Sequence, residues 1–236
     1  MSTLEAVRVK DDLSDPGARG WEHIEGVGVE LGAAALADQP SRYIRTAWAT
    51  RPYGLARTLI ARAAHDGERL FLRLSWPSPT LAQSEREKLA GAVEGPDAFP
   101  DACAVVLAGS AQAQLGRWGS AETPVRVWRW AAGVPGGVAE RVEDLVGEGI
   151  AEGAERLRPA PDRGGVAFGV QARAGCSGER REVVFSRALT AQDGPAPGLE
   201  PGSVSVLGFA LWVGANQERS GIRSVSKAPC ELAVAA

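Results

Sequence analysis

Glycine and proline interrupt this sequence at short intervals, and their spacing restricts the fold more than any other feature. The 236 residues include 29 glycines and 15 prolines. Glycine destabilises a helix interior through the entropy of its free backbone, and proline does so through its missing N–H and its ring. A coiled coil or a long helical bundle is therefore excluded, and short strands joined by turns are favoured.

The clearest strand pattern is a hairpin. Residues 57–64 and 69–76 are largely apolar, and a short turn containing Asp-Gly separates them. His65 opens this turn, so we expect its imidazole to be exposed to solvent. The second run alternates in character, so one face of its strand should be buried. The residues on that face are Leu70, Leu72, Leu74 and Trp76.

Other apolar runs predict further strands. They lie at residues 102–108, 125–130, 165–172, 182–189 and 204–213. Within the second of them, Trp128 and Trp130 should share one face, while Val125 and Val127 occupy the other. Turn-rich segments, including residues 175–178, separate the later strands.

Two segments have helical features. Residues 81–93 are polar and end at Gly-Pro, and residues 138–158 contain apolar side chains at helical spacing together with several glycines. The whole pattern predicts an all-β fold, an antiparallel β-sandwich with one or two short surface helices. We expect a polar N-terminal arm over residues 1–20 and a single sandwich domain over residues 21–236.

Charge and cysteine content exclude several kinds of function. The net charge of −3 and pI near 5.6 argue against nucleic-acid binding, which needs an excess of cations. Cys103, Cys176 and Cys230 are odd in number and too widely spaced for a disulfide framework or a CxxC zinc site. The N-terminus lacks the pattern of a secretory signal, and no apolar run would span a bilayer. We expect a soluble chain with no transmembrane segment, placed in the cytoplasm or the periplasm as part of a complex.

The sequence also lacks recognisable catalytic motifs. It contains two histidines, His23 and His65, and no GxSxG, HExxH or P-loop motif. We therefore expect no catalytic site in this chain. The seven tryptophans could either fill a core or line a flat ligand site, and the sequence leaves both possibilities open.

Four segments carry a resemblance to a known family. The last of them combines an aromatic strand, a Gly-x-Asn-x-Glu turn and a Ser-Val-Ser sequence, and the four together extend over most of the chain. They are residues 70–76, 99–106, 119–130 and 209–226. They resemble the gamma, or haem-b-binding, subunit of the ethylbenzene dehydrogenase and dimethylsulfide dehydrogenase group of respiratory molybdoenzymes, to which selenate, chlorate and perchlorate reductases also belong.

This resemblance implies both a cofactor and partners. It implies a β-sandwich that holds one haem b between its sheets, with a methionine and a lysine as axial iron ligands. It further implies that the subunit docks on an iron–sulfur subunit beside a molybdopterin catalytic subunit. Such a subunit would pass electrons between that relay and a soluble carrier.

The sequence departs from the family at both expected ligands. The only methionine is Met1. The resemblance implies that the family's Met-Gly falls on Trp118-Gly119 and that its lysine falls on Arg223. An indole nitrogen is only a donor, and a guanidinium stays protonated, so neither side chain offers iron a lone pair. Trp118 and Arg223 are therefore candidates for contact with the cofactor but not for ligation.

Two other residues are candidate ligands under the haem hypothesis. Cys103 could supply a sulfur ligand from its strand, and Lys227 could supply a nitrogen ligand, with Trp128, Trp130 and Trp212 as the walls of the slot. The alternative interpretation makes Cys103 a small buried apolar residue and Lys227 an exposed lysine.

Three functions follow from these observations. The first is an electron-transfer subunit that binds haem b, and the second is a haem-free structural or assembly subunit of a molybdoenzyme. The third is a sandwich that binds a carbohydrate or another small molecule by stacking it on exposed tryptophans.

Overall fold

The computed structural model describes residues 1–39, 41–78, 99–133, 139–151, 154–161, 169–190 and 198–236. In these ranges the chain forms thirteen strands and one α-helix. The strands are β1 (Ser2–Arg8), β2 (Val27–Ala33), β3 (Thr58–His65), β4 (Arg69–Pro77), β5 (Ala102–Ala108), β6 (Val125–Ala131), β7 (Arg141–Ala151), β8 (Ala154–Pro159), β9 (Gln171–Ser177), β10 (Arg180–Ala188), β11 (Val204–Trp212), β12 (Ser224–Ser226) and β13 (Cys230–Val234). The helix is α1 (Arg42–Trp48), and no helix within the described ranges could cross a bilayer.

The strands form two packed layers that are joined along one side. The hydrogen-bonded order is β8-β7-β6-β5-β11-β12-β2-β3-β4-β10-β9. The first five strands make one layer and the last four the other, while β12 and β2 connect them. A second connection runs from β11 through β13 and β1 to β3. All pairings are antiparallel except those of β1, so the predicted antiparallel β-sandwich is confirmed.

The main core lies between the two layers because each strand turns alternate apolar residues inward. It includes side chains from both layers, among them Leu72, Leu74, Val105, Leu107, Val183 and Phe185. The opposite face of the β5–β6–β11 layer carries a second apolar cluster that includes Val106, Val125, Val127 and Ala210. We call this second surface the outer face. The predicted split of residues 125–130 is confirmed, since the two tryptophans face the interior and the two valines the outer face.

The predicted hairpin is present as β3 and β4. Their residues pair in register from Ile60 with Ser75 to His65 with Leu70. The expected exposure of His65 was wrong, because its side chain is fully buried. His65 ends the interior face of β3, and β1 runs beside it with Arg8 at the paired position. A neighbour that is remote in sequence therefore covers this residue.

The N-terminal segment contributes to the sandwich. Residues 2–8 form β1, which runs parallel to β13 and to the end of β3, and its residues Leu4 and Ala6 are buried. The predicted arm over residues 1–20 is thus a strand in its first part. The segment is short and polar in composition, but strand pairing buries its two alternate apolar residues.

The helix predictions had two outcomes. Residues 81–93 lie outside the described part of the chain. The short helix and irregular excursion expected within residues 138–158 were wrong, because the described residues of this segment form the antiparallel strands β7 and β8. Glycines explain the difference, since they weaken a helix but allow close contact between backbones. A Cβ on Gly147 would lie 2.6 Å from the Trp118 carbonyl oxygen.

We predict that burial of His65 makes the protein less stable at mildly acidic pH. Burial lowers the pKa of the His65 imidazole from its ordinary value of 6.5, and the Arg8 guanidinium lowers it further. The unfolded state then binds the proton more tightly, so stability is lost as pH falls below about 6.5. We expect the free energy of unfolding to fall by up to about 1.4 kcal/mol per pH unit between about pH 6.5 and the lower pKa of the folded state.

Urea denaturation of three proteins across this pH range tests the prediction. His65→Phe should remove the component that begins near the ordinary histidine pKa. His23→Gln should retain it, because His23 is exposed. Equal pH dependence in wild type and His65→Phe would contradict the assignment.

Candidate functional site

Four side chains form a buried polar cluster on the outer face, and we call them the Arg223 cluster. They are Trp118, Glu155, Trp212 and Arg223. The two indoles are stacked, with ring centroids 6.2 Å apart and planes 16° from parallel. The Arg223 guanidinium carbon lies 4.3 Å from the Trp118 ring centroid and 5.8 Å from that of Trp212. A planar cation therefore lies against two flat aromatic surfaces.

The backbone around Trp118 is unusual. Trp118 ends a short 3-10 turn in the left-handed conformation, with a φ of 65°, and Gly119 follows with a φ of 76°. The backbone N–H of Gly149 donates to the Trp118 carbonyl oxygen at 2.9 Å. Left-handed conformations cost free energy for residues with a Cβ. Contacts with β7 therefore help to hold Trp118 where its ring meets Trp212.

Hydrogen bonds hold the buried guanidinium in position. Its Nη1 donates to Glu155 Oε1 at 2.6 Å and to the Ser220 carbonyl oxygen at 3.0 Å, and its Nη2 donates to the Gly116 carbonyl oxygen at 3.1 Å. The same Glu155 oxygen accepts a bond from Trp118 Nε1 at 3.0 Å. One carboxylate thus serves both the cation and the indole.

Arg223 is almost fully removed from solvent. Its side chain is 2% exposed, and its Nε has no hydrogen-bond partner among the described residues. Burial lowers the pKa of the guanidinium from its ordinary value, and the Glu155 carboxylate raises it. A cation buried in this way is costly unless its counter-charge is retained.

The interior tryptophans are in direct contact with rings of the opposite layer. Trp130 meets Trp76 with centroids 6.5 Å apart, and Trp128 meets Phe185 at 6.4 Å. These separations are those of neighbouring aromatic side chains, with no room for a macrocycle between them. Trp212 differs from the other two expected wall residues, because it lies on the outer face.

The solvent exposure of the tryptophans tests the predicted carbohydrate binding. All seven are buried, and the most exposed of them, Trp48, has an exposed fraction of 8%. Sugar rings stack on indole faces that are open to solvent. The structure therefore offers no tryptophan platform for the third predicted function.

Cys103 is an interior residue of β5. It pairs with Trp130 on one side and with Leu211 on the other, and it is fully buried. Burial raises the pKa of its thiol well above the ordinary value, and the nearby Asp101 carboxylate raises it further. The thiolate, which is the form that binds metals, is therefore disfavoured here.

Lys227 follows β12 and extends its pairing, because its N–H donates to the Glu30 carbonyl oxygen at 3.0 Å. Its side chain is 59% exposed, with Nζ 3.4 Å from Glu30 Oε2. Val225, two residues earlier, packs on the outer-face cluster. Strand alternation places Lys227 on that same face, whereas Cys103 faces the interior.

These positions test whether the residues present fit haem b. A six-coordinate haem iron needs two donors on opposite sides of one plane. Cys103 and Lys227 lie on opposite faces of a sheet and do not approach one slot, while Trp118 and Arg223 meet but have no lone pair to offer. The described residues do not fit haem b as it was expected.

Sequence analysis did not predict the contacts of two carboxylates in or near the candidate site. Glu155 lies in the segment that was expected to be helical, so nothing in its sequence context indicated a partner across the sheet. Glu218 belongs to the Gly-x-Asn-x-Glu turn, which indicated its importance but not its role. Its side chain is 1% exposed and binds the backbone at the end of β11.

Comparison with known proteins gives three informative sequence relatives. The chain is 30% identical to the gamma subunit of dimethylsulfide dehydrogenase from Rhodovulum sulfidophilum, over 95% of this chain and 78% of that subunit. It is 26% identical to the ORF7 product of Haloferax mediterranei, assigned as a respiratory nitrate reductase heme subunit, over 95% of this chain and 70% of that protein. It is 29% identical to the chlorate reductase gamma subunit of Ideonella dechloratans, over 71% of this chain and 61% of that subunit. No family model matches the chain.

Solved structures show a related fold. A family 9 carbohydrate-binding module from Caldicellulosiruptor kristjanssonii in complex with glucose has a TM-score of 0.50 at 8% identity, covering 100% of this chain and 97% of the module. The complex of such a module from the same organism with cellotriose also has a TM-score of 0.50, at 9% identity over 99% of this chain and 94% of the module. At such low identity the likeness concerns the sandwich fold alone.

Proposed function

Because this chain belongs to the gamma-subunit family that includes that of dimethylsulfide dehydrogenase, we propose that it is a haem-free gamma-type subunit of a multisubunit molybdopterin oxidoreductase. In this role it docks on an iron–sulfur subunit beside a molybdopterin catalytic subunit and stabilises their assembly. The catalytic chemistry of the complex belongs to the partner chains.

One observation carries the haem-free part of this proposal. The Arg223 guanidinium is buried against Trp118 and paired with Glu155, so the two residues that the resemblance places at the expected ligand positions interact with each other. Neither side chain has a lone pair for iron. In the interior, Trp128 and Trp130 contact rings of the opposite layer, so aromatic side chains of the chain itself take the place that a macrocycle would need.

The second candidate is an electron-transfer subunit that binds haem b. It is favoured by the Haloferax mediterranei relative, which carries the name of a heme subunit. Under this function Cys103 and Lys227 remain the predicted iron ligands, with Trp128 and Trp130 beside the cofactor. Cys103 and Lys227 lie on opposite faces of the sheet, so their positions would have to change for both side chains to reach one iron.

Co-purification from cells tests the two candidates together. We expect an affinity-tagged chain, isolated from its native cells, to purify in a stoichiometric complex with an iron–sulfur subunit and a molybdopterin subunit. The complex should contain iron–sulfur and molybdenum signals but no Soret band, and a pyridine haemochrome assay should detect no haem b. Purification of the tagged chain alone would contradict the proposed role. One haem b per tagged chain would establish the second candidate instead.

A further inference from the structure

The segment that contains α1 and the loop after it is cationic, although the chain as a whole is acidic. Residues 41–57 contain no aspartate or glutamate and four arginines, Arg42, Arg45, Arg51 and Arg57. The rest of the chain therefore carries 22 of the 26 basic residues but all 29 acidic ones. Positive charge is thus concentrated in one short segment.

The arginines of this segment differ from those of the sheets in their partners. On the sheet formed by β6 and β7, Arg129 Nε lies 2.6 Å from Glu143 Oε2, and several other strand arginines have similar ion pairs. Arg42, Arg51 and Arg57 are exposed, and none of the three has an ion pair with a described carboxylate. Their charges are therefore available to a second molecule.

The fold adds another cation to this segment. Arg51 Nη2 donates to Gln217 Oε1 at 3.2 Å, and Glu218 Oε1 accepts from two backbone N–H groups of the loop before β3. These bonds hold the turn after β11 against the loop. Arg219 follows directly in that turn and is exposed, with its guanidinium carbon 4.6 Å from the Phe99 ring centroid. The turn thus places Arg219 beside the same loop.

An aromatic ring is exposed among these cations. Tyr43 has an exposed fraction of 82%, while Trp48, on the other side of α1, is buried and packs edge-on against Tyr53 with centroids 6.2 Å apart. Tyrosine and arginine are both enriched in protein interfaces. We call the following five residues the arginine surface: Arg42, Tyr43, Arg51, Arg57 and Arg219.

We propose that the arginine surface docks on an acidic surface of a partner protein, which in the proposed complex is the iron–sulfur subunit. Guanidinium groups form paired hydrogen bonds with carboxylates, and the Tyr43 ring supplies apolar contact area. A protein fits better than a nucleic acid or an anionic bilayer, because the acidic remainder of this chain repels an extended polyanion. The identity of the partner rests on the proposed function, whereas its charge follows from the arginine surface.

Co-purification of a charge-reversal variant tests the docking surface. In Arg42→Glu/Arg57→Glu/Arg219→Glu, three exposed cations become anions that repel an acidic partner. We expect the tagged variant, isolated from its native cells, to retain at least about tenfold less of the iron–sulfur and molybdopterin subunits per chain than wild type.

A matched variant on another part of the surface serves as the control. Lys10→Glu/Arg19→Glu/Arg173→Glu makes the same change in net charge at three exposed positions. Lys10 and Arg19 flank residues that pack on β3 and β4, and Arg173 lies in the edge strand β9. We expect the control to retain both subunits as wild type does. Circular dichroism checks folding, and Arg42→Glu/Arg57→Glu replaces the first variant if that variant does not fold.

Direct binding of an acidic peptide gives a second measurement that needs no partner subunit. Fluorescence anisotropy of a labelled oligoglutamate peptide at low ionic strength should show at least about fivefold weaker binding to the charge-reversal variant than to the control. Labelled duplex DNA and phosphatidylglycerol vesicles are titrated in the same way. Tighter binding of either than of the peptide, lost in the charge-reversal variant, would overturn the assignment to a protein partner.

The outcomes separate this inference from the proposed function. Full retention of both subunits by the folded charge-reversal variant would overturn the docking surface and leave the proposed function intact, and so would equal losses in this variant and the control. If wild type purifies alone, the proposed function fails and the peptide measurement decides. Selective loss of peptide binding in the charge-reversal variant would then support an acidic partner, and equal binding by this variant and the control would overturn it.

Discussion

Replacing Arg223 with alanine is expected to lower the free energy of unfolding by about 3–5 kcal/mol, which is the usual cost of removing one partner from a buried ion pair. The change leaves the Glu155 carboxylate without its cation and removes the guanidinium from the Trp118 ring. It also removes the Arg223 donors to the Gly116 and Ser220 carbonyl oxygens, and among the described residues only the Ser220 oxygen keeps another bond, from Trp212 Nε1 at 2.8 Å. Urea denaturation of wild type and variant at neutral pH measures the loss.

Two controls separate charge from packing. Arg51→Ala removes a cation from a tryptophan face at an exposed position, so its expected cost is less than about 1 kcal/mol. The double variant Arg223→Met/Glu155→Leu removes both charges and retains apolar volume, so it should recover much of the stability lost in Arg223→Ala. A loss of equal size in the double variant would show that the ion pair does not determine the stability of this cluster.

Replacing Glu218 with alanine is expected to lower the free energy of unfolding by at least about 3 kcal/mol, because it leaves two buried backbone donors and one partly buried donor without an acceptor. Glu218 Oε1 accepts from the N–H groups of Gly54 and Leu55, at 2.9 and 3.3 Å, and its Oε2 accepts from Val213 at 3.0 Å. Burial raises the pKa of this carboxyl, and the three N–H groups lower it. The side chain joins the end of β11 to a loop more than 150 positions earlier, so its loss should loosen both.

The size and origin of this effect can be checked with two further variants. Glu218→Gln keeps one accepting oxygen and should lie between alanine and wild type. Glu30→Ala removes an exposed glutamate whose partner is Lys227, and its effect should stay within about 0.5 kcal/mol. A loss for Glu218→Ala that is no greater than for Glu30→Ala would contradict a bridging role.

The strand predictions were correct where the alternation of apolar side chains lies within a single strand. The alternation from Leu70 to Trp76 places apolar side chains on one face, and the structure buries that face in the main core. The helix prediction within residues 138–158 was wrong because the spacing of the apolar side chains was interpreted without knowledge of the strands that pair with this segment. Glycines that weaken a helix there allow β7 to approach the backbone of Trp118.

Prediction of the candidate site was less complete. The resemblance singled out Trp118 and Arg223 as candidate cofactor contacts, and the chemistry of an indole and a guanidinium argued against iron ligation by either. The sequence did not predict that they touch, nor that Glu155 joins them. His65 shows the same limit, because its burial depends on β1, which is more than 50 positions away.

The order of amino acids by itself determined the strand-rich fold and the apolar side of most strands, because side-chain alternation and glycine and proline turns are local properties of the chain. It also determined that Trp118 and Arg223 carry an indole and a guanidinium, neither of which has a lone pair to offer iron. Only the tertiary structure decided which face of the sheet these positions occupy and which carboxylate they bind. Trp118, Glu155, Trp212 and Arg223 come from four separate segments, and only the pairing of distant strands brings their side chains within hydrogen-bonding and stacking distance.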